Sequence, residues 1–260
     1  MVTQSLANGA AMDNFTALDP QSIALLLDVD GTLIDIGPSP SDVHVSGELR
    51  DLIARLSRMT GGALALVSGR PIADLDRMFA PLRLPAIGGH GAEIRLPDGK
   101  IVHGANPLPQ ALRRQLAGNA KPGSGILAED KGYSLALHFR NAPQDAGRLR
   151  ASIDAGRAAF PDEATEVQSG KFLFEVKRPG VSKGGAVRAL MRVAPFAGRQ
   201  PVFIGDDVTD ESVFALLPDL KGLGFSVGRQ FAGLAGIFDS PNQVRRSLQR
   251  LAAGKQSSPA

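Results

Sequence analysis

The feature that most constrains the fold is a short apolar run, residues 23–27, that leads directly into Asp28 and Asp30. Every position of this run, IALLL, is apolar, which is typical of a strand in a parallel sheet that helices cover on both faces. Ligands of open parallel sheets bind beyond the carboxyl ends of the strands. The segment therefore predicts a central strand that carries two carboxylates to a binding edge.

The rest of the first hundred residues, and the chain after residue 179, alternate strand-like apolar runs with amphipathic helical patterns. Further buried strands are predicted at residues 63–67, 201–204 and 224–227. Helices are predicted after Ser46, from Pro71, over 183–193, from Asp210 and after Ser240-Pro241. Residues 94–102 predict a hairpin. This alternation indicates an α/β fold built on a parallel sheet.

The segment between residues 106 and 178 has a different pattern. It reads as helix, two strands, helix, two strands, with turns at Lys131-Gly132 and Ser169-Gly170. The order αββαββ predicts an antiparallel sheet with helices on one face. We therefore expect two domains, a core of residues 1–105 and 179–260 and an inserted α+β domain of residues 106–178.

Length and composition limit the class of protein. A chain of 260 residues and 27.2 kDa is long enough for one large core and a smaller second domain. The absence of cysteine excludes disulfides and thiolate metal sites. No apolar run approaches the length of a bilayer span, and the first 49 residues contain no Lys or Arg, so no signal peptide is predicted. Residues 1–21 are interpreted as a loose polar leader, and we expect a soluble, cytoplasmic protein without a membrane partner.

The charge balance is mildly positive, with a net charge of +3 and an isoelectric point near 9.4. The Lys and Arg residues are scattered, only 5% of residues are aromatic and Trp is absent, so no nucleic-acid partner is predicted. The positive excess also suits a small anionic substrate. The sequence leaves the oligomeric state open and is compatible with a monomer.

Three of the predicted strands end in polar groups. Asp28 and Asp30 follow the first, Ser68-Gly69-Arg70 follow the second, and Asp206-Asp207 follow the strand at 201–204. Neighbouring strands would bring these carboxylates together, where like charges raise one another's pKa. A divalent cation such as Mg²⁺ relieves this repulsion and binds phosphate oxygens as well. Each motif alone is also typical of a turn or a helix cap, but the three together favour a site.

The same residues resemble a known family. The segments DVDGTL (28–33), VSGR (67–70) and GDDVTDE (205–211), together with Lys183, resemble the four motifs of the haloacid dehalogenase superfamily of phosphohydrolases. Three further segments resemble its trehalose-6-phosphate phosphatase branch: GGHGAE (88–93), EDKGYSLALHFR (129–140) and GKFLFEVKRPGVSKGGAV (170–187). The resemblance implies a Rossmann-like core with a parallel sheet and an inserted cap domain of the C2B type.

The resemblance also implies roles for the core residues. Asp28 would be the nucleophile that forms an aspartyl-phosphate, Asp30 the general acid and base, and Lys183 the group that neutralises developing charge. Mg²⁺ would be held by the carboxylates of Asp28 and Asp206 and by the main-chain carbonyl of Asp30. The remaining roles fall to Ser68 and Gly69, which would bind phosphate with Lys183, and to three supporting residues, Thr32, Asp207 and Asp210.

The inserted domain is expected to act as a lid that recognises the sugar. Alternation in YSLALHFR places Tyr133, Leu135, Leu137 and Phe139 on one face and His138 and Arg140 on the other, while Phe172, Phe174 and Val176 turn inward. The predicted sugar contacts are Lys131, His138, Arg140, Lys171 and Glu175, joined by Arg70, His90 and Glu93 from the core loops. A solvated strand face is the alternative for each lid residue.

The implied activity is hydrolysis of trehalose 6-phosphate to trehalose and inorganic phosphate, the last step of trehalose biosynthesis. Another sugar-phosphate phosphatase with the same lid, acting on sucrose phosphate, mannosyl-3-phosphoglycerate or a hexose phosphate, is the nearest alternative. A phosphomutase shares the chemistry. A non-catalytic regulatory companion of a sugar-phosphate synthase would be expected to have lost a carboxylate or the lysine. All four of Asp28, Asp30, Lys183 and Asp206 are present, which favours an enzyme.

Overall fold

The computed structural model describes residues 13–37, 43–170 and 172–254. The chain divides into two compact units, an insert unit of residues 103–181 and a main unit formed by the residues on either side of it. Within the described residues, no helix combines the length and the apolar character that a bilayer crossing requires.

The main unit is built on an eight-stranded sheet, and the predicted parallel sheet is confirmed. Its strands are β1 (Ile23–Leu27), β2 (Leu64–Val67), β3 (Ala86–Gly88), β4 (Glu93–Arg95), β5 (Ile101–His103), β10 (Gln200–Gly205), β11 (Leu223–Val227) and β12 (Gly236–Phe238). The spatial order is β12-β11-β10-β1-β2-β3-β4-β5, parallel from β12 to β3 and antiparallel between β3 and β4. Leu27 pairs with both Ile204 and Leu66, so β1, β10 and β2 end side by side.

The insert unit has a separate four-stranded antiparallel sheet in the order β6-β7-β9-β8. Its strands are β6 (Leu127–Asp130), β7 (Ser134–His138), β8 (Glu166–Gly170) and β9 (Leu173–Lys177). The helices that pack with these sheets include α1 (Gly47–Met59), α2 (Ile72–Phe79), α3 (Gln110–Ala117), α4 (Ala146–Ala158), α5 (Lys183–Leu190), α6 (Glu211–Phe214) and α7 (Pro241–Ala253). The element order α3-β6-β7-α4-β8-β9 is the αββαββ order that the sequence indicates.

Burial on both faces explains why β1 is apolar throughout. Leu25 and Leu27 pack into a cluster that contains the buried residues of α1 and α7, whereas Leu26 packs into a second cluster on the α5 and α6 side. Burying each such leucine stabilises the fold by about 1.5–3 kcal/mol. A polar residue inside this strand would therefore be costly, and the carboxylates appear only after it ends.

The predicted helix starts are confirmed where a side chain caps them. The Ser46 hydroxyl accepts a hydrogen bond from the Leu49 amide, and the Ser240 hydroxyl accepts one from the Gln243 amide. The helix predicted over 183–193 ends at Leu190, and the one predicted from Asp210 is only the short α6. The three-residue strands β3 and β12 were not predicted, because runs this short carry no periodicity.

The insert unit differs from prediction at two points. Ser169 pairs with Phe174 and Gly170 with Leu173, so the ladder extends through the predicted turn at Ser169-Gly170. Phe172, predicted to turn inward, has a φ of 59° and is 36% exposed, and its ring contacts the buried Phe139 ring edge-on. Strand β7 also ends before Arg140, which is exposed in the following turn.

The interpretation of residues 1–21 as a loose leader is wrong for its second part. Phe15 is fully buried, and its ring contacts Phe225 and Phe238 edge-on, at centroid distances of 5.2 and 5.7 Å. A single aromatic residue in a polar stretch gives no periodic signal, so only the packing reveals it. Residues 1–12 lie outside the described part of the chain.

Candidate active site

Three carboxylates meet at the carboxyl ends of β1 and β10. Asp28 follows β1, and its amide continues the ladder by donating to the Ile204 carbonyl at 2.9 Å. Asp206 follows β10, and Asp210 lies one turn further on. One carboxylate oxygen from each of Asp28, Asp206 and Asp210 lies within 4.8 Å of the others. The structure thus brings together acidic residues that are almost 180 positions apart in the sequence.

Glycine is required where the first loop approaches Asp206. Gly31 has a φ of 79°, in the left-handed region, and a Cβ there would lie 2.2 Å from the Asp206 Oδ2 atom. The neighbouring Thr32 is buried, and its hydroxyl donates to Asp206 Oδ1 at 3.2 Å. The loop after β1 therefore fixes one oxygen of Asp206 while passing close to the other.

Lys183, the first residue of α5, ties two of the carboxylates together. Its Nζ atom donates to Asp28 Oδ1 and to Asp210 Oδ1, both at 2.7 Å, and the side chain is only 3% exposed. The helix is placed by close backbone packing, because a Cβ on Gly184 would lie 2.1 Å from the Ser212 carbonyl oxygen. The Ser212 hydroxyl also accepts the Gly184 amide proton, at 3.1 Å. The position of the ammonium group thus depends on the contact of α5 with α6.

The electrostatics of this cluster leave it short of positive charge. Burial raises the pKa of Asp28 well above its usual value, Lys183 opposes this shift, and Asp210 and Asp206 reinforce it. Burial and the nearby Asp210 raise the pKa of Asp206 to about 6. Burial alone would lower the pKa of Lys183, but Asp28 and Asp210 outweigh it and raise that pKa above its usual value. Three carboxylates therefore share one ammonium group.

The donor set fits a hard divalent cation. Asp28 Oδ2 is buried and has no hydrogen-bond partner, which is costly for a carboxylate oxygen in the absence of a positive ligand. Both oxygens of Asp210 are already used, one by Lys183 and the other by the Asp207 amide at 3.0 Å. The carboxylates of Asp28 and Asp206 are therefore better placed to hold a metal ion than that of Asp210, which supports the lysine.

Asp30 lies outside this buried cluster and is paired with Arg70. The Arg70 Nε atom donates to Asp30 Oδ2 at 2.6 Å, and its Nη2 atom donates to Asp30 Oδ1 at 2.7 Å. The sequence predicts a substrate contact for Arg70, but in this structure two of its donors are directed at the carboxylate of Asp30. That pairing could not be predicted from the motif VSGR alone.

The segment after β2 and the segment after β3 pack against one another. The buried Ser68 hydroxyl accepts a hydrogen bond from the Arg70 amide at 3.1 Å. A Cβ on Gly69 would lie 2.3 Å from the His90 ring, and a Cβ on Gly91 would lie 2.3 Å from the Ser182 carbonyl oxygen. His90 itself adopts a left-handed conformation with a φ of 56°. Close backbone approach thus joins Ser68 and Gly69 to the residue that precedes Lys183.

Two of the predicted site residues act as helix caps. Glu93 Oε2 accepts a hydrogen bond from the Ile72 amide at 2.7 Å, at the start of α2. The Asp207 carboxylate accepts from the Val208 amide at 2.7 Å and from the Thr209 hydroxyl at 3.3 Å. Carboxylates at helix starts satisfy amides that have no partner within the helix. A substrate contact of Glu93 stays a prediction.

On the insert unit, the polar face of the sheet carries a network around Glu175. This buried carboxylate accepts from the Ser134 hydroxyl at 2.6 Å, and Lys131 Nζ lies 3.4 Å from the same Oε1 atom. His138 Nε2 lies 3.2 Å from Glu129 Oε2, and a hydrogen bond with His138 lowers the pKa of Glu129. The structure therefore brings Lys131, His138 and Glu175 onto one face.

Two predicted lid residues remain. Arg140 lies beyond the end of β7, and Lys171 lies outside the described residues. Glu129 and Ser134 were not among the predicted site residues. Strand register could have found Glu129, because it pairs with Ala136, which in turn pairs with Glu175 on the next strand.

Arg245 on α7 is a further contact that the sequence did not predict. Its Nη1 atom donates to the Leu33 carbonyl at 2.9 Å, and its Nη2 atom lies 3.3 Å from Asp35 Oδ2. Arg245 is therefore anchored to the loop after β1 and does not only face solvent. It supports the chain that follows Asp28 and Asp30, over more than 200 positions of sequence.

Comparison with solved structures identifies the fold. The C-terminal domain of the Candida albicans trehalose-6-phosphate phosphatase superposes with a TM-score of 0.75 at 21% identity, over 95% of this chain and 97% of that one. A Bacteroides thetaiotaomicron phosphatase of the haloalkanoate (HAD) enzyme superfamily superposes with a TM-score of 0.56 at 16% identity, over 88% of this chain and 94% of that one. The fold is that of the HAD phosphatases, as the resemblance implies.

Sequence comparison is more specific. A probable trehalose-phosphate phosphatase of Sinorhizobium fredii is 40% identical over 212 residues, which cover 81% of this chain and 79% of the relative. The trehalose-6-phosphate phosphatase of Escherichia coli is 38% identical over 242 residues, covering 87% and 88% of the two chains. Residues 26–235 match the trehalose-phosphatase family. The chain therefore belongs to this family, and it is an enzyme, a phosphatase.

Substitution of two neighbouring glycines of α5 tests whether the close contact of α5 with α6 sets the position of Lys183. Gly184→Ala places a methyl group against the Ser212 carbonyl and displaces Lys183, so we expect activity to fall about 100-fold, the usual cost of a misplacement near 1 Å. In Gly185→Ala the new Cβ meets Ser182 Oγ at 3.4 Å, an ordinary contact, and activity should remain at the level of the unmodified enzyme.

Phosphate release at saturating substrate is the measurement, with circular dichroism to confirm that both variants are folded. Equal activity of the two folded variants would mean that the approach of α5 to α6 does not set the position of Lys183.

Proposed function

We propose that this protein is a Mg²⁺-dependent phosphatase that hydrolyses trehalose 6-phosphate to trehalose and inorganic phosphate, with Asp28 as the nucleophile. The observation that carries the proposal is the buried bridge from Lys183 to Asp28 and Asp210, next to the unpaired oxygen of Asp28 and the carboxylate of Asp206. The substrate is inferred from the named activities of the Sinorhizobium and Escherichia relatives.

The first half of the reaction transfers the phosphoryl group to the enzyme. A carboxylate oxygen of Asp28 attacks phosphorus, the bond from phosphorus to the sugar oxygen breaks, and Asp30 gives its proton to the departing oxygen. Lys183 holds Asp28 Oδ1 in place and neutralises charge on the attacking group. Asp30 suits proton transfer because its side chain is 33% exposed, unlike that of Asp28.

The second half releases phosphate. Asp30, now ionised, takes a proton from a water molecule, whose oxygen attacks the phosphorus of the aspartyl-phosphate. The bond from phosphorus to Asp28 breaks, and both carboxyl groups return to their starting states. Asp28 and Asp206 by carboxylate, and Asp30 by its main-chain carbonyl, are the ligands we assign to Mg²⁺. Bound there, Mg²⁺ would supply positive charge that offsets the charge of the phosphoryl group.

Ser68, Gly69 and Lys183 are the groups we assign to the phosphate. Because the Ser68 hydroxyl accepts the Arg70 amide proton, its own proton is available to donate to a phosphate oxygen. The start of α5, where Ser182 caps the helix, adds amide groups that favour an anion.

Sugar recognition is assigned to the polar face of the insert unit, and residues 106–178 are proposed to act as a lid domain. The network around Glu175 offers both donors and acceptors, which hydroxyl groups require. Lys131, His138, Arg140, Lys171 and Glu175 are the proposed contacts. Lys177 is not among them, because it pairs with Glu166 at 3.2 Å and donates to the Val181 carbonyl.

A non-catalytic regulatory role is disfavoured. It would not require Asp28 and Lys183 to be buried as an ion pair beside Asp206, since a buried pair is costly to keep unless its geometry serves a purpose. Release of phosphate from a panel of purified sugar phosphates separates trehalose 6-phosphate from sucrose phosphate and hexose phosphates. A preference for one of the other esters would contradict the assigned substrate.

Replacing the nucleophile gives the first test. Asp28→Asn keeps the shape of the side chain but removes the attacking oxyanion, so we expect turnover to fall by at least about 10⁴-fold. The matched control is Asp219→Asn, which alters an exposed ion pair with Arg188 and should leave turnover unchanged.

Both variants are assayed by phosphate release and checked for folding by thermal denaturation. Substantial turnover by a folded Asp28→Asn enzyme would refute the nucleophile assignment.

Metal removal gives the second test. We expect a chelator to abolish activity and added Mg²⁺ to restore it, and Asp206→Asn to raise the half-activating Mg²⁺ concentration at least about 10- to 100-fold, the cost of altering even an outer-shell partner of a metal. Since the metal-free pKa of Asp206 is raised to about 6, protons compete with the ion, and the half-activating concentration should rise as the pH falls through that value. Activity that persists after exhaustive chelation would exclude the proposed dependence on Mg²⁺.

Substrate selectivity gives the third test, directed at the lid. Glu175→Gln and Arg140→Ala should each lower kcat/KM for trehalose 6-phosphate about 10-fold or more, because the sugar loses a polar contact. The same variants should change kcat/KM for a small ester such as p-nitrophenyl phosphate far less. Equal losses on the two substrates would mean that these residues do not recognise the sugar.

A further inference from the structure

We propose that Arg70 is a positioning residue, which holds the carboxylate of Asp30 in the orientation needed for proton transfer. The inference rests on the acid–base role of Asp30 under the proposed function. It reassigns Arg70, which sequence analysis placed among the substrate contacts, and it adds a residue to the catalytic apparatus without requiring it to touch the substrate.

Arg70 and Asp30 form a bidentate ion pair. Arg70 Nε and Nη2 each donate to a different oxygen of Asp30, at 2.6 and 2.7 Å. A bidentate contact between a planar guanidinium and a carboxylate fixes the plane of the acid group as well as its distance. A lysine at the same position could supply the charge but not the second parallel hydrogen bond.

Arg70 is itself held firmly at its backbone. Its amide donates to the Ser68 hydroxyl at 3.1 Å, and its carbonyl accepts from the Gly89 amide at 2.9 Å. The side chain is only 16% exposed. The guanidinium group therefore extends from a fixed segment after β2 to a residue in the loop after β1, and it links the predicted phosphate-binding residues to Asp30.

Asp30 needs such a partner more than Asp28 does. Asp28 is buried and fixed by Lys183, whereas the Asp30 side chain is 33% exposed and would be free to turn towards solvent without Arg70. General acid–base catalysis requires the proton donor to lie within hydrogen-bond distance of the reacting oxygen, and it contributes about 10²–10⁴-fold to the rate. Loss of orientation should therefore reduce kcat with little effect on substrate binding.

A contrasting arginine provides the control. Arg77 pairs with Asp74 at 2.5 Å on α2, but its side chain is 78% exposed, and an ion pair of this kind contributes little. Arg77→Ala removes the same type of side chain from the next helix and should leave all kinetic constants unchanged.

The experiment compares Arg70→Ala, Arg70→Lys, Asp30→Asn, the double variant Arg70→Ala with Asp30→Asn, and the Arg77→Ala control in the full-length enzyme with Mg²⁺. We expect kcat for trehalose 6-phosphate to fall about 10- to 100-fold in Arg70→Ala and less in Arg70→Lys, with KM and the inhibition constant of inorganic phosphate within about 2-fold of the unmodified enzyme. Added guanidinium ion should restore part of the kcat of Arg70→Ala.

The double variant gives the most decisive test of the inference. If Arg70 acts through Asp30, the double variant should turn over no more slowly than Asp30→Asn alone, because the residue that Arg70 positions is already disabled. Losses that multiply in the double variant would overturn the inference. A raised KM and a raised phosphate inhibition constant in Arg70→Ala at unchanged kcat would also overturn it, and would restore the substrate contact.

Failure of the inference can be told apart from failure of the proposed function. Full activity of Asp30→Asn would contradict the acid–base role of Asp30, and with it the inference. A strong loss in Asp30→Asn together with unchanged kcat in Arg70→Ala would contradict the positioning role alone. Thermal denaturation of each variant identifies a loss that arises from unfolding. If Arg70→Ala does not fold, the kcat and KM of the conservative Arg70→Lys variant decide between positioning and substrate contact.

Discussion

The structure of this site depends on one buried ammonium group. Lys183 lies between Asp28 and Asp210 with almost no exposure to solvent, and a charge in such a place is stable only when it is paired and well oriented. The pair crosses from the start of α5 to the end of β1, so the helix and the central strand must meet at a fixed distance. Gly184 permits that distance, because any side chain there would strike the backbone of α6.

Under the proposed function, the same constraint would give different roles to two carboxylates that are two residues apart. Asp28 is buried, which raises its pKa, and its Oδ2 atom has no hydrogen-bond partner. An unpaired carboxylate oxygen of this kind suits a nucleophile that lies beside a cation. Asp30 is partly exposed and clamped by Arg70, which suits a group that must exchange protons with substrate and water. The apolar strand β1 positions both carboxylates, because a hydrophobic cluster packs on each of its faces and the strand ends directly before Asp28.

Sequence reasoning identified the features that arise from local pattern. The buried strand, its acidic end and the capped helices are each encoded within a few neighbouring residues. The αββαββ order of the insert follows from the local pattern of each of its elements in turn. It could not find contacts that depend on three-dimensional packing, such as the pairing of Arg70 with Asp30 or the anchoring of Leu33 by Arg245. The hairpin turn predicted at Ser169-Gly170 was also wrong, because both residues are paired in the ladder and a shift in strand register leaves the local composition unchanged. Nor could a lone buried Phe15 be recognised in a polar segment.

The central claim is that the unpaired oxygen of Asp28 and the carboxylate of Asp206 hold a divalent cation. Crystals grown with Mn²⁺ in place of Mg²⁺ give the most direct measurement, since anomalous scattering locates that metal independently of the protein atoms. The account predicts one strong peak in contact with Asp28 Oδ2 and Asp206, and a much weaker peak in Asp206→Asn at the same Mn²⁺ concentration. A fully occupied peak elsewhere, with Asp28 and Asp206 free of metal at saturating Mn²⁺, would contradict it.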